Sequence, residues 1–228
     1  MDKRFVGLMA LLVSLGLMGI PSAFSQKAGD VYMWDFNEGS GDKVTDNSKQ
    51  MTATMGTALT PESISVSNTD SPSGKAGDRS VQVNGGLLVD DSQSPVLNIE
   101  KGPITMEAWV KIDAITEPTD IARYGGAYKF GFGNNGALLW TFLGIEDVFS
   151  DTIFSPDSAW HHIAMAWEPG KGVTFFLDGQ QVDFKATTNT DRALQSHILN
   201  IGTDSGGTSA LQGSIDRLRI HKAILTAA

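Results

Sequence analysis

The most regular stretch of the chain runs from Trp160 to Gly179. Ile163, Met165 and Trp167 alternate with His162, Ala164 and Ala166; Glu168-Pro169-Gly170-Lys171-Gly172 interrupts the pattern; Val173, Phe175 and Leu177 then alternate again before Asp178-Gly179. Alternation with period two places successive side chains on opposite faces of a sheet, and Pro-Gly and Asp-Gly supply the backbone angles that tight reversals need. The spacing predicts a hairpin followed by a third strand, Gln181–Lys185, so the unit is a meander.

The same period recurs on both sides of this unit. Val31–Asn37 sets Tyr32, Trp34 and Phe36 on one face; Met51–Thr57 is a weaker strand; Ser80–Asn84 and Leu87–Asp90 are short ones. Ile104, Met106, Ala108, Val110 and Ile112 form the clearest single strand, which the pattern places centrally. Ile121–Phe132 and Ala137–Gly144 flank Gly133-Asn134-Asn135-Gly136, whose Asn-Gly pair signals a hairpin turn. Asp147–Ile153, His197–Thr203 and Leu211–His221 complete the set. Pro61–Asp78, rich in Ser, Asn, Asp, Pro and Gly, reads as a long surface loop. No apolar period of three to four residues persists, so the chain predicts many short strands and a two-sheet sandwich. Its 228 residues suffice for one sandwich core, and residues 31–228 are read as one domain after a short polar leader, residues 26–30.

The beginning of the chain has a different pattern. Lys3-Arg4 precedes an uncharged apolar run, Phe5–Ile20, then Pro21-Ser22 and the small-residue pattern Ala23-Phe24-Ser25. This is the layout of a secretory signal peptide, residues 1–25, cleaved before Gln26. The apolar run falls short of the ~20 residues that cross a bilayer. Cleavage removes Asp2, Lys3 and Arg4 and leaves 15 basic against 25 acidic groups, a net charge of −10. An acidic surface argues against nucleic acid and anionic membranes as partners, since both are held by basic patches. With no second apolar span, no membrane insertion is expected after cleavage. The absence of cysteine excludes disulfides, thiolate zinc sites and a cysteine nucleophile. Export without disulfides fits a bacterial secreted or cell-envelope protein.

Four pieces of sequence, WDFNEGSGDKVTDNS, ITMEAWVKI, WHHIAMAW with VTFFLDGQQV, and LNIGTDSGG with LQGSIDRLRIHKAIL, stand in an order that resembles laminin-G-like domains of the concanavalin A-like lectin/glucanase superfamily. The resemblance implies an all-β, two-sheet antiparallel jelly-roll sandwich with its first and last strands paired. It also implies a non-catalytic module that binds glycans or extracellular proteins, through loops or a concave sheet. A structural or adhesive surface scaffold is the alternative, and a glycoside hydrolase a third reading.

Candidate chemistry is sparse. Related glucanases carry carboxylates spaced Glu-x-Asp-x-x-Glu on one strand, because glycoside hydrolysis needs two carboxyls flanking one bond. Here Glu107 stands alone, and Glu146, Asp147 and Asp151 lack the spacing; both groups are expected on solvated edges. No nucleophile elbow, Walker loop or His-Glu-x-x-His motif occurs, so no catalytic residue is assigned. His161 and His162 are neighbours on a strand, point to opposite faces and cannot readily share an ion. Asp35 and Asp216 would be brought together by pairing of the terminal strands. They are candidate ligands of a structural Ca²⁺, with Glu38, Asp46 and the Gly213 carbonyl as helpers; the alternative is that Asp216 pairs with Arg217, Arg219 or a backbone amide. Trp34, Trp109, Trp160 and Trp167 match packing positions of the family, whereas Tyr124, Tyr128 and Trp140, near the more variable hairpin, are candidate stacking platforms for a glycan. Loops 60–78, 113–120 and 204–210 are where a binding rim would form.

Overall fold

A computed structural model describes residues 31–38, 43–47, 52–54, 64–67, 70–83, 87–90, 97, 99, 102–191, 198–204 and 206–225. The leader sequences, residues 1–25 and 26–30, lie outside the described residues. The described chain is all β. Its strands are β1 (Val31–Trp34), β2 (Lys43–Thr45), β3 (Thr52–Thr54), β4 (Ile64–Ser67), β5 (Ser80–Val83), β6 (Leu87–Asp90), β7 (Ile104–Ala114) and β8 (Thr119–Tyr124). They continue as β9 (Tyr128–Phe132), β10 (Ala137–Phe142), β11 (Glu146–Ile153), β12 (Trp160–Glu168), β13 (Gly172–Leu177), β14 (Gln180–Ala186), β15 (Ile198–Ile201) and β16 (Gln212–His221). Two antiparallel sheets form the concanavalin A-like jelly roll. The first runs β14-β13-β12-β7-β16-β5-β4, with β1 also on β16; the second runs β11-β10-β9-β8-β15-β6-β3-β2.

The predicted meander is β12-β13-β14, and the strand expected to be central, β7, lies between β12 and β16. The terminal strands pair as expected, Val31 with His221 and Trp34 with Leu218. Three expectations are corrected. Ile121–Phe132 is two strands, because Gly125, at φ +45°, turns the chain between β8 and β9. The loop read over Pro61–Asp78 contains β4, whose partner is β5. Residues 113–120 do not form a rim loop throughout, since β7 extends to Ala114 and β8 begins at Thr119.

Alternation sorts each strand into an inner and an outer face. Ile104, Met106, Ala108, Val110 and Ile112 of β7 lie beside Ile163, Met165 and Trp167 of β12, and together they face the rings of Phe130, Phe132, Trp140 and Phe142 across one continuous core. Trp34, Trp140, Trp167, Tyr124 and Tyr128 are fully buried, and large rings of this kind dominate core energetics. A second, smaller cluster lies on the outer face of the first sheet. There Leu225 and Ile224 fold back over Ala164, Ala166 and Phe176, latched by Thr105 Oγ1, which donates to Ala223 O (2.7 Å) and accepts from Leu225 N (3.1 Å).

The sandwich is also closed along one side. The edge strands β11 and β14 meet there: Asp151 N donates to Asp183 Oδ2 (2.6 Å), Thr152 Oγ1 to Val182 O (3.3 Å), and Lys185 bridges Asp151 and Asp183. Capping an unpaired strand edge with ionic side chains protects it from pairing with another chain.

Candidate functional site

The outer faces of the two sheets differ. On the first sheet, Glu107 is buried between two histidines: His162 Nε2 lies 3.0 Å from Oε2, His221 Nε2 lies 2.9 Å from Oε1, and Arg219 adds a charge at 3.6 Å. Burial pushes the Glu107 carboxyl up, but hydrogen bonds from His162 and His221 outweigh it and hold the group well below the usual carboxylate range. The expected solvated edge is therefore corrected for Glu107, because β7 is central and its outer face is covered. For Glu146, Asp147 and Asp151, on edge strand β11, exposure is as expected. The neighbouring histidine separates from this cluster: His161 points away, between Asp178 (2.8 Å) and Asp157 (3.1 Å).

Asp216 lies on the same face, opposite Trp109. β16 changes partner here, from β5 over Gly213–Ile215 to β1 over Leu218–His221. The ladder is broken at the change, and Arg217 adopts φ +51°. Asp216 is completely buried and neither of its carboxylate oxygens has a hydrogen-bond partner; Asp35 Oδ1 is likewise buried and unpartnered. Burial pushes the Asp216 carboxyl up to about 8; Arg217 opposes the shift, and the charges of Asp78 and Asp35 add to it. Of the arginines expected as its partners, Arg217 forms a long ion pair with it and Arg219 is engaged elsewhere. Arg217 Nη2 donates to Asp78 Oδ2 (2.6 Å) while its Nε pairs with Asp216 Oδ2 at 3.6 Å, and Arg219 lies 3.6 Å from Glu107. Asp46 Oδ1 accepts Met33 N (2.8 Å), and Asp35 Oδ2 accepts the Asn47 amide.

Three buried carboxylate oxygens without donors fit a hard cation, which takes oxygen ligands and would neutralise the charge that burial penalises. Among the described residues no group of three or more His, Cys, Asp or Glu converges on one point. Further ligands of a Ca²⁺ at Asp216 and Asp35 would thus be backbone carbonyls, hydroxyls or water.

The outer face of the second sheet carries two side-chain rows. Register aligns Phe149 (β11), Leu139 (β10), Gly131 (β9) and Asp120 (β8) in one row. The next row is Asp147, Thr141, Lys129, Arg123 and Asn200, crossing from β11 to β15. At about 4.8 Å between strands, the polar row spans about 19 Å. Thr141 Oγ1 donates to Asp147 Oδ1 (2.6 Å); Lys129 Nζ donates to Asp120 Oδ1 (2.7 Å), and Arg123 lies 3.8 Å from Asp120 Oδ2. Burial raises the Asp120 carboxyl, although Lys129 and Arg123 oppose it. Asn200, 2% exposed, leaves its Oδ1 without a partner. The ring of Phe149 is 45% exposed and lies over Gly133, where a Cβ would come within 3.0 Å of it. Leu139, Thr141, Asp120 and Asn200 are buried, Lys129 and Arg123 are partly buried, and the exposed members of the rows are Asp147 and Phe149 at the β11 end.

The expected aromatic platforms are elsewhere. Tyr124, Tyr128 and Trp140 are fully buried and have no ring face to offer, a correction that follows from alternation within β8, β9 and β10. Each falls on the inner face with Phe130, Phe132 and Phe142. Tyr128 stacks on Trp140 (6.2 Å, 7°) and donates its hydroxyl to Leu97 O (3.0 Å). Of the four tryptophans assigned to packing, Trp34 and Trp167 are in the core. Trp109 and Trp160 are half-buried on the outer face, Trp160 Nε1 donating to Asp70 Oδ1 (2.9 Å). Phe149 went unweighed in the sequence because Val148 and Phe149 are adjacent and both apolar; only Val148 and Ser150 facing inward reveals that Phe149 faces out.

No curated protein matches the sequence. Solved structures do. The binding domain of Paraclostridial Mosquitocidal Protein 1 aligns with 16% identity and a TM-score of 0.59, covering 86% of this chain and 50% of that one. Domain 4 of AbnA, an extracellular arabinanase of Geobacillus stearothermophilus solved with arabinotriose, aligns with 13% identity and a TM-score of 0.57, covering 87% of this chain and 96% of that one. Trypanosoma rangeli sialidase aligns with 14% identity and a TM-score of 0.59, covering 88% of this chain and 32% of that one. The chain thus spans half of the toxin binding domain and about a third of the sialidase, and at these identities the likeness is one of fold. A laminin G family model, described as the concanavalin A-like lectin/glucanases superfamily, matches residues 83–228. Since this match covers most of the chain and agrees with the observed two-sheet jelly roll, the protein belongs to the concanavalin A-like lectin/glucanases superfamily.

Proposed function

We propose that the protein is an exported, non-catalytic module that binds a neutral glycan along the outer face of its second sheet. The observation that carries this reading is the polar row Asp147-Thr141-Lys129-Arg123-Asn200 beside the exposed ring of Phe149. Mixed donors and acceptors suit sugar hydroxyls, and an aromatic face suits the apolar face of a sugar ring. Asp120 offsets one of the two cations, so the strip has no strong excess of charge for a polyanion. The arabinanase domain, nearly all of whose length this chain covers, was solved with a neutral trisaccharide.

The absence of catalysis in this reading rests on spacing. Asp147 and Asp120 stand three strands apart, about 14 Å. Glycosidases hold their two carboxyls roughly 5 to 10 Å apart. Asp120 is also committed to Lys129.

In the same reading Asp216 and Asp35 hold a structural Ca²⁺ that neutralises buried charge and ties the first strand to the last. The bound ion supplies charge compensation and no chemistry. Export follows from the residue 1–25 leader, and a secreted or cell-envelope location follows from export. Among the described residues no helix is long and apolar enough to cross a membrane.

A glycan array probed with and without a chelator tests the assignment. Binding to neutral glycans, weakened by chelation only as far as the fold is weakened, is expected. Silence across the array, with capture of an extracellular protein instead, would replace the glycan by a protein partner.

A further inference from the structure

His161, at the start of β12, has a carboxylate at each of its ring nitrogens. Nδ1 lies 2.8 Å from Asp178 Oδ2, and Nε2 lies 3.1 Å from Asp157 Oδ1. A neutral imidazole carries one N–H and one lone pair, so it donates to one carboxylate and turns the lone pair on the other; the imidazolium donates to both. The geometry is that of the charged form. Neighbouring charges turn away from the ring: His162 bonds Glu107, and Lys111 bonds Asp70. Val110, opposite His161 on β7, and Phe154, edge-on to the imidazole at 5.2 Å, are apolar.

The two carboxylates are held differently. Asp178 belongs to the tight turn between β13 and β14, at φ +50° with Gly179 at +77°, the positive angles of a type I′ hairpin turn. Its Oδ1 accepts His162 N (2.9 Å), and its own N donates to His162 O (2.8 Å), so it is fixed to β12. Asp157 lies in the crossover, residues 154–159, that carries the chain from β11 in the second sheet to β12 in the first. Beyond the buried Phe154, residues 155–159 are all exposed, and Ser158 holds a left-handed φ of +63°, a region few residues with a Cβ adopt. Asp157 Oδ1 accepts Ala159 N (2.9 Å) within the same stretch, and its bond with His161 ties that stretch to β12.

We propose that His161 is a proton-operated clamp on this crossover: as imidazolium it grips Asp157 against the fixed Asp178, and as imidazole it lets residues 155–159 go. When the proton leaves, the remaining N–H stays with Asp178, the nearer and anchored partner; Asp157 then meets a lone pair, and the backbone at Ser158 is free to relax. Burial pushes the imidazolium down, but hydrogen bonds to Asp178 and Asp157 and their charges outweigh it and raise the group above 6.5. The clamp's stabilisation is therefore fully present below 6.5 and is lost as pH rises through the folded value. Asp157, held low by Ala159 N and His161, sets the other limit: its share is present above 3.8 and is lost as pH falls through its own folded value. The crossover is thus closed in mildly acid surroundings and opened by a rise in pH, the range in which histidine serves as a switch.

Carbon-detected NMR of the full protein between pH 5 and pH 10 tests the clamp, reading the His161 ring and the mobility of residues 155–159 in the same samples. His161 should titrate with a midpoint above 6.5, and residues 155–159 should become mobile with that same midpoint. Asp157→Asn keeps an oxygen for Ala159 N and removes the charge; the His161 midpoint should fall, and residues 155–159 should be mobile across the whole range. His161→Gln, which cannot titrate, should leave their mobility independent of pH. A His161 midpoint at or below 6.5, residues 155–159 equally ordered on both sides of the midpoint, or an Asp157→Asn protein that keeps the wild-type midpoint would overturn the proposal.

Discussion

Glu107 Oε2 on β7 and His162 Nε2 on β12 are 3.0 Å apart in the buried outer layer of the first sheet, and His221 of β16 holds the other oxygen at 2.9 Å. One carboxylate thus ties three neighbouring strands together. Its folded pKa is depressed from a value of 4.5, so the stabilisation is present above that value and is lost as pH falls through the folded one. Glu107→Gln should cost about 3 kcal/mol at pH 7. The gap from wild type should narrow as the pH is lowered below 4.5. Urea unfolding at pH 7, 5 and 3 measures this; a gap that stays constant would show that the charge is immaterial.

Asp216 makes the opposite case, a buried carboxylate offset among the described residues only by Arg217 at 3.6 Å. Calcium should raise the melting temperature of the wild type and EDTA should lower it. Asp216→Asn should remove the response to calcium, and in EDTA its protein should melt no lower than the wild type. Scanning calorimetry in both buffers decides it, and a calcium response surviving in the Asn variant would move the ion away from Asp216.

Gly131 sits in the row between Leu139 and Asp120, where a Cβ would come within 1.9 Å of Thr119 O. Backbone cannot give way as a side chain can, so Gly131→Ala should cost roughly 3 kcal/mol or more and displace Asp120. Gly144, at φ +77° with open space around it, is the contrast: Gly144→Ala should cost only about 1 kcal/mol. Chemical denaturation of the two proteins compares steric conflict with backbone strain, and equal costs would contradict this account.

Trp140 is a core ring. Trp140→Ala should cost about 3–5 kcal/mol, through lost contacts with Tyr128 and Phe142 and the cavity left behind. A thermal or denaturant melt reads the loss. Near-native stability would return this residue to the surface.

Much of the fold was legible because its longest strands obey period two. Ile104–Ile112 and Ile163–Trp167 carry unbroken apolar alternation, and both lie inside the first sheet. Turn and strand boundaries were less legible: Gly125 splits what reads as one strand, and Ile64–Ser67 pairs with β5 in spite of a loop-like composition. The site was legible only in part. That Asp35 and Asp216 lie near the pairing of the terminal strands was legible because that pairing follows from the family's topology. The two rows proposed as a glycan strip were not legible because their members come from five strands and meet only through register. Tyr124 and Trp140 were misplaced for the same reason, since which face of a strand turns inward depends on partners far away in sequence.

The central claim is that the outer face of the second sheet binds a neutral glycan with Phe149 as its aromatic wall. Titration calorimetry with the strongest array ligand, on wild type and Phe149→Ala side by side, tests it most directly. Because the ring is half-exposed, the variant should fold with little change in stability, and its affinity should fall about tenfold or more. Undiminished affinity in the well-folded variant would contradict the account.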